Sequence, residues 1–218
     1  SGTDSLEIAL RTLNIGPGDE VIVPSFSFFA SSEVILKVGA QPIYCDINLI
    51  DLTLDLEHLK SIISKKTKAV IAVHLFGNSV NLQILKNICS TKDIHIIEDV
   101  AQAFGSTFKN KYLGSIGEFG CFSFYPTKNL GCFGDGGAIT FNKKKYLKKI
   151  ASLRNHGNVG NYFHEYVGLN SRLDSMQALI LDTKLKSIKN GLNQRIKNNK
   201  YYVDNIHTEN YNIHSQEN

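Results

Sequence analysis

Cysteine is scarce in this sequence, and the few cysteines show no paired spacing. The 218 residues include four cysteines, and none of them forms the closely spaced pairs typical of zinc sites or disulfide frameworks. Three of them lie in or beside apolar segments, as buried free thiols of a reducing compartment do. We therefore expect a cytoplasmic protein with no metal ligands.

Long apolar runs are also absent. No stretch approaches the ~20 apolar residues that a helix needs to cross a bilayer, so we expect no membrane span. No signal peptide opens the chain, and its abrupt start at Ser1 suggests a fragment of a longer protein. With 42% hydrophobic and 20% charged residues, the 218 residues suffice for one substantial globular core.

A basic patch suited to nucleic acid is missing as well. The net charge is +4, and the densest basic run, at residues 143–145, has no binding motif beside it. A solvated helix start explains that run, so we expect no nucleic-acid partner.

Strand-like and helix-like segments alternate from Thr3 to Leu153. Uniformly apolar strands between helices are typical of a largely parallel sheet with helices on both faces. Residues 106–113 read as a hairpin around Lys109 and Asn110. Strands are predicted at residues 20–23, 42–45, 69–75, 94–97, 121–125 and 138–141, and helices at 3–13, 28–38, 56–63, 82–89 and 145–153.

Three polar residues lie at or just past predicted strand ends, namely His74, Asp99 and Lys128. Ligands of parallel α/β sheets bind outside the carboxyl ends of the strands. The sequence therefore predicts that these side chains share one edge of the sheet, called the rim below.

Beyond residue 173 the pattern changes to that of a single long helix. It predicts one amphipathic helix over residues 174–202, with a bend at Gly191, followed by a short polar tail. The apolar residues that recur every three or four positions are Leu181, Leu185, Ile188, Leu192 and Ile196.

The segment from Gly120 to Ala138 holds the strongest candidate for chemistry. A buried strand ends at Pro126, and Lys128 follows it in a loop with four glycines. A lysine held there, partly withdrawn from water, has a nucleophilic amine that suits Schiff-base formation. The alternative is a solvated lysine on a glycine-rich turn.

Residues near the first helix and the buried strand fit a phosphate group. Ser1, Gly2 and Thr3 open a helix whose amides and dipole attract an anion, although an ordinary N-cap explains the same residues. Ser123, five positions before Lys128, either donates to the same phosphate or is a core serine.

Three further residues fit an aromatic ring. Phe28 either stacks on the ring or packs in the core. Asp99 either pairs with a ring N–H⁺ or caps the next helix, and Gln102 would face the same ligand one helical turn later. Together, the lysine, the acid, the phosphate donors and the aromatic side chain are what pyridoxal phosphate requires.

The ordered set of motifs closely resembles the DegT/DnrJ/EryC1/StrS sugar aminotransferases, which are fold type I pyridoxal-phosphate enzymes. The resemblance covers essentially the whole chain. The motifs that carry it are Ser-Gly-Thr at 1–3, Gly-Asp-Glu-Val-Ile-Val-Pro-Ser-Phe-Ser-Phe at 18–28, His-Leu-Phe-Gly at 74–77, Glu-Asp-Val-Ala-Gln-Ala at 98–103, Phe-Ser-Phe-Tyr-Pro-Thr-Lys-Asn-Leu at 122–130, Gly-Asp-Gly-Gly at 134–137, Arg-Asn-His-Gly at 154–157 and Gly-Leu-Asn-Ser-Arg-Leu-Asp at 168–174.

The resemblance implies roles for the residues around the cofactor ring. Lys128 would bind the aldehyde and move the proton, and Asp99 would keep the pyridine nitrogen protonated. Phe28 would stack on the ring, and Gln102 would contact the cofactor. Relatives with histidine in place of this lysine are dehydratases, so Lys128 disfavours that activity.

The resemblance also implies a phosphate site and a shared dimeric active site. Gly2, Thr3 and Ser123 would bind the phosphate. Asn170 would reach the phosphate of the neighbouring subunit, and Arg172 would lie near the donor or sugar at the partner's site. We therefore expect a homodimer.

The implied fold is a three-layer α/β/α domain with a mostly parallel, seven-stranded sheet, truncated at both ends. Residues 1–173 would form the pyridoxal-phosphate-binding large domain, without its N-terminal part. Residues 174–204 would form a long connecting helix, and residues 205–218 the start of a truncated C-terminal small domain.

The implied activity is transfer of an amino group, with glutamate as the donor, to a nucleotide-linked keto sugar. The motifs from 154 to 174 resemble members acting on 3-keto sugars more than those acting on 4-keto sugars. Two alternatives stay open: a non-catalytic fragment that keeps the fold, and another fold type I activity such as a lyase.

Overall fold

The protein was analysed as a computed structural model that describes residues 1–206. The predicted polar tail and most of the expected start of a C-terminal domain, residues 207–218, lie outside the described residues. The α-helices are α1 (Gly2–Thr12), α2 (Ala30–Lys37), α3 (Leu56–Ile62), α4 (Leu82–Ser90), α5 (Leu147–Leu153), α6 (Ser175–Leu185) and α7 (Ile188–Asn205). The strands are β1 (Glu20–Pro24), β2 (Gln41–Cys45), β3 (Thr67–Val73), β4 (His95–Asp99), β5 (Thr107–Phe108), β6 (Lys111–Tyr112), β7 (Phe119–Ser123) and β8 (Gly137–Phe141).

The main sheet has the strand order β2-β1-β3-β4-β7-β8. All neighbours are parallel except β7 and β8, which pair antiparallel. The sheet has six strands among the described residues, one fewer than the seven expected for the family's large domain, which the sequence predicted to be truncated here. Strands β5 and β6 do not join it, because they pair only with each other across Lys109 and Asn110, whose φ angles of 47° and 63° form a tight hairpin turn.

Helices cover both faces of the sheet. Val21 and Val23 of β1 face a core formed with α1, α2 and α5, whereas Ile22 between them faces a second core formed with α3 and α4. Because both faces are buried, the strands are apolar throughout rather than alternating with polar residues. The predicted three-layer α/β/α class is confirmed.

The C-terminal segment contains two helices instead of the single predicted one. The break lies between α6 and α7 at Lys186 and Ser187, four residues before Gly191. The backbone N–H and the hydroxyl of Ser187 both donate to the Lys184 carbonyl, at 3.1 and 3.2 Å, and this tight turn ends α6. The predicted bend at Gly191 is therefore wrong.

The apolar residues of this segment are only partly covered. Leu181 is buried against Phe124, Leu130 and Cys132, whereas Leu185 and Ile196 are exposed. All four cysteines are buried free thiols, as predicted. No helix among residues 1–206 is long and apolar enough to cross a membrane.

Candidate active site

The rim predicted from the sequence is formed by the ends of β3, β4 and β7. Parallel register aligns Val73 with Asp99 and Asp99 with Cys121. His74 follows β3, and its backbone N–H donates to the Asp99 carbonyl at 3.1 Å. Lys128, five residues after the end of β7, lies near enough for its charge to oppose the rise in the pKa of Asp99.

Asp99 has a buried carboxyl, only 6% exposed, and both of its oxygens accept hydrogen bonds. The Ser31 hydroxyl donates to Oδ2 at 2.9 Å, and the Ala101 N–H donates to Oδ1 at 3.0 Å. Burial raises the pKa of Asp99, although the bonds from Ala101 and Ser31 and the charges of His74 and Lys128 partly offset it. The site therefore holds an acid that gains from a cation placed against it.

Asp99 is not a helix N-cap, because no helix follows it. Residues 100–103 form turns, and Asp99 bonds the amide two positions on, as in an Asx turn. Gln102 is consequently not one helical turn further along, as predicted. Its side chain instead accepts a hydrogen bond from the Phe76 N–H at 3.2 Å and so connects the turn after β4 to the turn after β3.

Ser31 is a site residue that sequence reasoning missed. It lies on α2, three positions after Phe28, so a helical pattern through residues 28–38 was the available signal. Only the packing of α2 against the rim reveals that the Ser31 hydroxyl points at Asp99.

A second buried polar pair joins His74, which the sequence predicted at the rim, to Glu98, which sequence reasoning missed. His74 Nε2 and Glu98 Oε2 are 3.1 Å apart, and both side chains are fully buried. Burial acts to raise the pKa of Glu98, but hydrogen bonds from His74, Gly117 and Gly114 outweigh it and lower that pKa. Among the described residues, His74 Nδ1 has no hydrogen-bond partner.

The start of α1 packs directly on the end of β7. A Cβ added to Gly2 would lie 2.7 Å from the Ser123 Cβ, and one added to Gly137 would lie 2.4 Å from the Ser1 carbonyl carbon. Only glycine permits such close approach at these positions. The first-turn amides of Gly2 and Thr3 and the Ser123 hydroxyl therefore lie together, at the helix end that attracts anions.

Ser1 acts as the ordinary helix N-cap that the sequence offered as the alternative to anion binding. It is the N-cap of α1, with its hydroxyl accepting from the Asp4 N–H at 3.0 Å in a capping box. This role is compatible with anion binding, because it leaves the amides of the first turn without an intrahelical acceptor.

Lys128 lies in the loop between β7 and β8 and is half-buried rather than fully solvated. Strand β7 ends at Ser123, three residues before Pro126. The Lys128 N–H donates to the Tyr125 carbonyl at 2.9 Å, which closes a turn around Pro126.

Phe28 is not a core residue, since its side chain is 69% exposed. It precedes α2, which begins at Ala30 rather than at the predicted residue 28. An exposed aromatic ring beside the helix that carries Ser31 is available to a ligand at the rim.

Asn170 and Arg172 form an exposed cluster of their own. Arg172 donates to the Asn170 side-chain oxygen at 2.9 Å and contacts that of Asn155 at 3.4 Å. Ser171 between them bonds Asp4 of α1. No hydrogen bond or ion pair in the described part of the chain joins Asn170 or Arg172 to Lys128 or Asp99.

Comparison with known proteins identifies the class. The model of the DegT/DnrJ/EryC1/StrS aminotransferase family matches residues 1–217. The chain therefore belongs to this family.

Curated and solved relatives agree with this membership. A UDP-N-acetyl-3-dehydro-alpha-D-glucosamine 3-aminotransferase of Acidithiobacillus ferrooxidans is 45% identical over 181 residues, which is 83% of this chain and 49% of the relative. The structure of DesV from S. venezuelae is 40% identical with a TM-score of 0.88, over 94% of this chain and 55% of DesV. NtdA from Bacillus subtilis, solved with its bound cofactor PMP, is 34% identical with a TM-score of 0.86, over 94% and 47% of the two chains. The chain thus spans about half the length of the relatives it matches.

Proposed function

We propose that this chain carries the cofactor site of a pyridoxal-phosphate-dependent aminotransferase acting on a nucleotide-linked keto sugar. The observation that carries the proposal is the convergence of Lys128, the buried Asp99 and the Gly2–Ser123 contact at one edge of the sheet. Family membership and the solved relative with bound PMP support the same cofactor.

The residues present fit this cofactor by shape and by charge. The close contact of Gly2 with Ser123 leaves the amides of Gly2 and Thr3 and the Ser123 hydroxyl as donors for the phosphate. Phe28, exposed beside α2, would cover one ring face, and Gln102 would contact the cofactor from the turn after β4.

Asp99 would hold the proton on the ring nitrogen. Its pKa is raised by burial, and a cationic N–H⁺ placed against it offsets that penalty. Ser31 and Ala101 keep the carboxylate pointing in one direction. When bound, pyridoxal phosphate would supply an aldehyde that captures amines and a ring that accepts the electron pair left on carbon when a proton is removed.

Lys128 would bind the aldehyde carbon and act as the acid and base. Freed by an incoming substrate amine, the Lys128 amine would move a proton between the substrate carbon that bears the amino group and the aldehyde carbon of the cofactor. The same group serves the half-reaction with the amino donor and the half-reaction with the acceptor. We propose glutamate as the donor.

A 3-keto sugar is the preferred acceptor over a 4-keto sugar. The motifs between 154 and 174 favour it, and the A. ferrooxidans relative is named for a 3-dehydro sugar and a 3-aminotransferase activity. A lyase of the same fold type would act on amino acids without any nucleotide sugar, and a non-catalytic fragment would turn over neither.

The active site is proposed to be shared between two subunits of a homodimer. Asn170 and Arg172 are exposed, bonded to each other and separate from the Lys128 site of their own chain, which suits a role at a partner's site. Residues 1–173 would form the cofactor domain, with α6 and α7 leading towards a C-terminal domain. The four buried free thiols fit a cytoplasmic location.

The test uses the full-length protein with pyridoxal phosphate. Borohydride should trap the cofactor on Lys128, and Lys128→Ala should lose both the trapped adduct and transamination, whereas Lys109→Ala, in the exposed hairpin, should keep both. An active Lys128→Ala enzyme would overturn the assignment. Turnover of amino acids with no keto-sugar aminotransfer would favour the lyase.

A further inference from the structure

Helix α6 touches the loop that carries Lys128 at three places. Lys184 Nζ donates to the Gly131 carbonyl at 2.6 Å, and Gln177 Oε1 accepts from the Phe133 N–H at 2.8 Å. Between these two contacts, Leu181 is buried in the apolar cluster formed with Leu130. A helix outside the sheet therefore holds the backbone just after the candidate catalytic lysine.

We propose that Lys184 and Gln177 are positioning residues that fix the Lys128 loop in the shape that binds the cofactor. The inference rests on the proposed function, because it assigns these residues to the same site. Neither side chain touches a residue assigned to the cofactor, so both act through the loop backbone.

The loop is folded so that the position of Gly131 governs that of Lys128. A Cβ added to Gly131 would lie 2.5 Å from the Pro126 carbonyl oxygen and 2.8 Å from that of Tyr125. The Tyr125 carbonyl in turn accepts from the Lys128 N–H. Gly131 therefore lies directly on the turn that presents Lys128, and Lys184 holds Gly131 there.

The Lys184 ammonium is placed for this contact rather than for solvation. It is half-buried, and its Nζ lies 4.6 Å from the centre of the Phe133 ring, within cation–π range. Its two contacts thus reach two residues of the same loop, Gly131 and Phe133. Gln177 holds Phe133 from the other side through the backbone.

Lys186, two positions further along, offers a matched control. Its ammonium is exposed and, within residues 1–206, pairs only with Asp182, one turn earlier, at 3.3 Å. Replacing Lys186 or Lys184 with methionine removes one positive charge from this segment in either case. Only the replacement of Lys184 removes a contact with the loop.

The experiment compares Lys184→Met, Lys184→Arg and Lys186→Met in the full-length protein. Hydrogen exchange of residues 129–136 is measured without cofactor, and pyridoxal phosphate affinity is measured by absorbance titration. Lys184→Met should speed exchange in the loop and weaken cofactor binding about tenfold. Lys184→Arg, which keeps a donor for the Gly131 carbonyl, should restore both values, and Lys186→Met should match the parent.

A second pair of variants tests the other contact and covers the case in which Lys184→Met fails to fold. Gln177→Leu removes the acceptor for the Phe133 N–H, and Gln177→Glu keeps it. Gln177→Leu should speed hydrogen exchange in the loop and weaken cofactor binding, whereas Gln177→Glu should change neither.

The outcomes separate this inference from the proposed function. Parent-like loop exchange and affinity in Lys184→Met and Gln177→Leu would overturn the inference. So would a loss that Lys184→Arg and Gln177→Glu fail to restore, since that is the mark of general destabilisation. If the loop loosens as expected but the parent itself binds no pyridoxal phosphate, the proposed function fails while the contact between α6 and the loop stands.

Discussion

At the residue scale, the site depends on two adjacent carboxyls with opposite environments. Burial raises the pKa of Asp99, whereas hydrogen bonds from His74, Gly117 and Gly114 overcome burial and lower the pKa of Glu98. Asp99 therefore gains from a cationic ligand, and Glu98 already has its partners within the protein. The two residues should respond to the same substitution in opposite ways.

Asp99→Asn should reduce transamination while leaving the cofactor-free protein as stable as the parent or more stable. Burial raises the folded-state pKa of Asp99 above its ordinary value of about 3.9. The folded protein therefore loses stability as the pH rises from the ordinary pKa through the folded-state pKa, because the charged carboxylate is buried. Asparagine carries no charge and removes this penalty. We expect the barrier to rise by a few kcal/mol, because the ring nitrogen loses its ion pair. Urea unfolding and a glutamate half-reaction measure the two effects. A variant that transaminates at the parent rate would contradict the assignment.

Glu98→Gln should instead unfold more easily, by about 3 kcal/mol, since four donors, in two buried and two part-buried hydrogen bonds, point at its buried carboxylate. Because the folded-state pKa is lowered, this stabilisation is full above the ordinary pKa of about 4.3 and is lost as pH falls through the folded value. Urea unfolding at several pH values measures it. Glu57→Gln, at an exposed position on α3, is the control and should change stability little. Equal effects at the two positions would contradict the argument.

At the scale of elements, the junction between α1 and β7 forms the proposed phosphate site. The Gly2 Cα lies against Ser123, so even one methyl group forces the two elements apart. Steric contact thus aligns the N-terminus of α1 with β7.

Gly2→Ala should weaken the binding of pyridoxal phosphate about tenfold, or by about 1.4 kcal/mol. The reason is that the added Cβ would lie 2.7 Å from the Ser123 Cβ. Gly16→Ala, whose Cβ would find its nearest neighbour at 3.5 Å, should bind normally. In the double variant Gly2→Ala/Ser123→Gly the 2.7 Å contact is removed and the Ser123 Cα at 3.1 Å remains, so part of the stability should return while affinity stays low without the Ser123 hydroxyl. Thermal unfolding and absorbance titration report these values. Parent-like affinity in Gly2→Ala would exclude a phosphate at this junction.

At the scale of the whole molecule, several apolar side chains remain exposed among the described residues. Leu185 and Ile196 on the C-terminal helices are 47% and 63% exposed, and Tyr162 and Phe163 in the loop before α6 are 92% and 65% exposed. Apolar surface of this kind favours association. The chain also spans about half the length of its relatives.

We expect the 218-residue chain by itself to associate non-specifically, to bind pyridoxal phosphate weakly and to show no turnover. The core between β1 and β8 can form, but under the proposed function Asn170 and Arg172 would act only when a second subunit docks correctly. Size-exclusion chromatography followed by a glutamate half-reaction measures this. A clean dimer that converts the cofactor to its amino form would show that the chain suffices.

Much of the fold was predictable because its determinants are local. The apolar strands and the turn at Lys109 and Asn110 depend on neighbouring residues, and each was found near its predicted position. The α-helical break at Ser187 was not predictable from periodicity, since the apolar spacing continues across it. The sequence also did not predict that Asp99 begins a turn rather than capping a helix, because the residues after it have a helix-like pattern.

The sequence by itself determined the α/β class, the order of the strands along the chain and the polar residues at the strand ends, because periodicity and turn chemistry act over a few residues. Tertiary structure alone decided which side chains meet. Ser31 reaches Asp99 across 68 positions, and Lys184 reaches Gly131 across 53. No local pattern encodes such contacts, since they arise only when helices pack against the finished sheet and its loops.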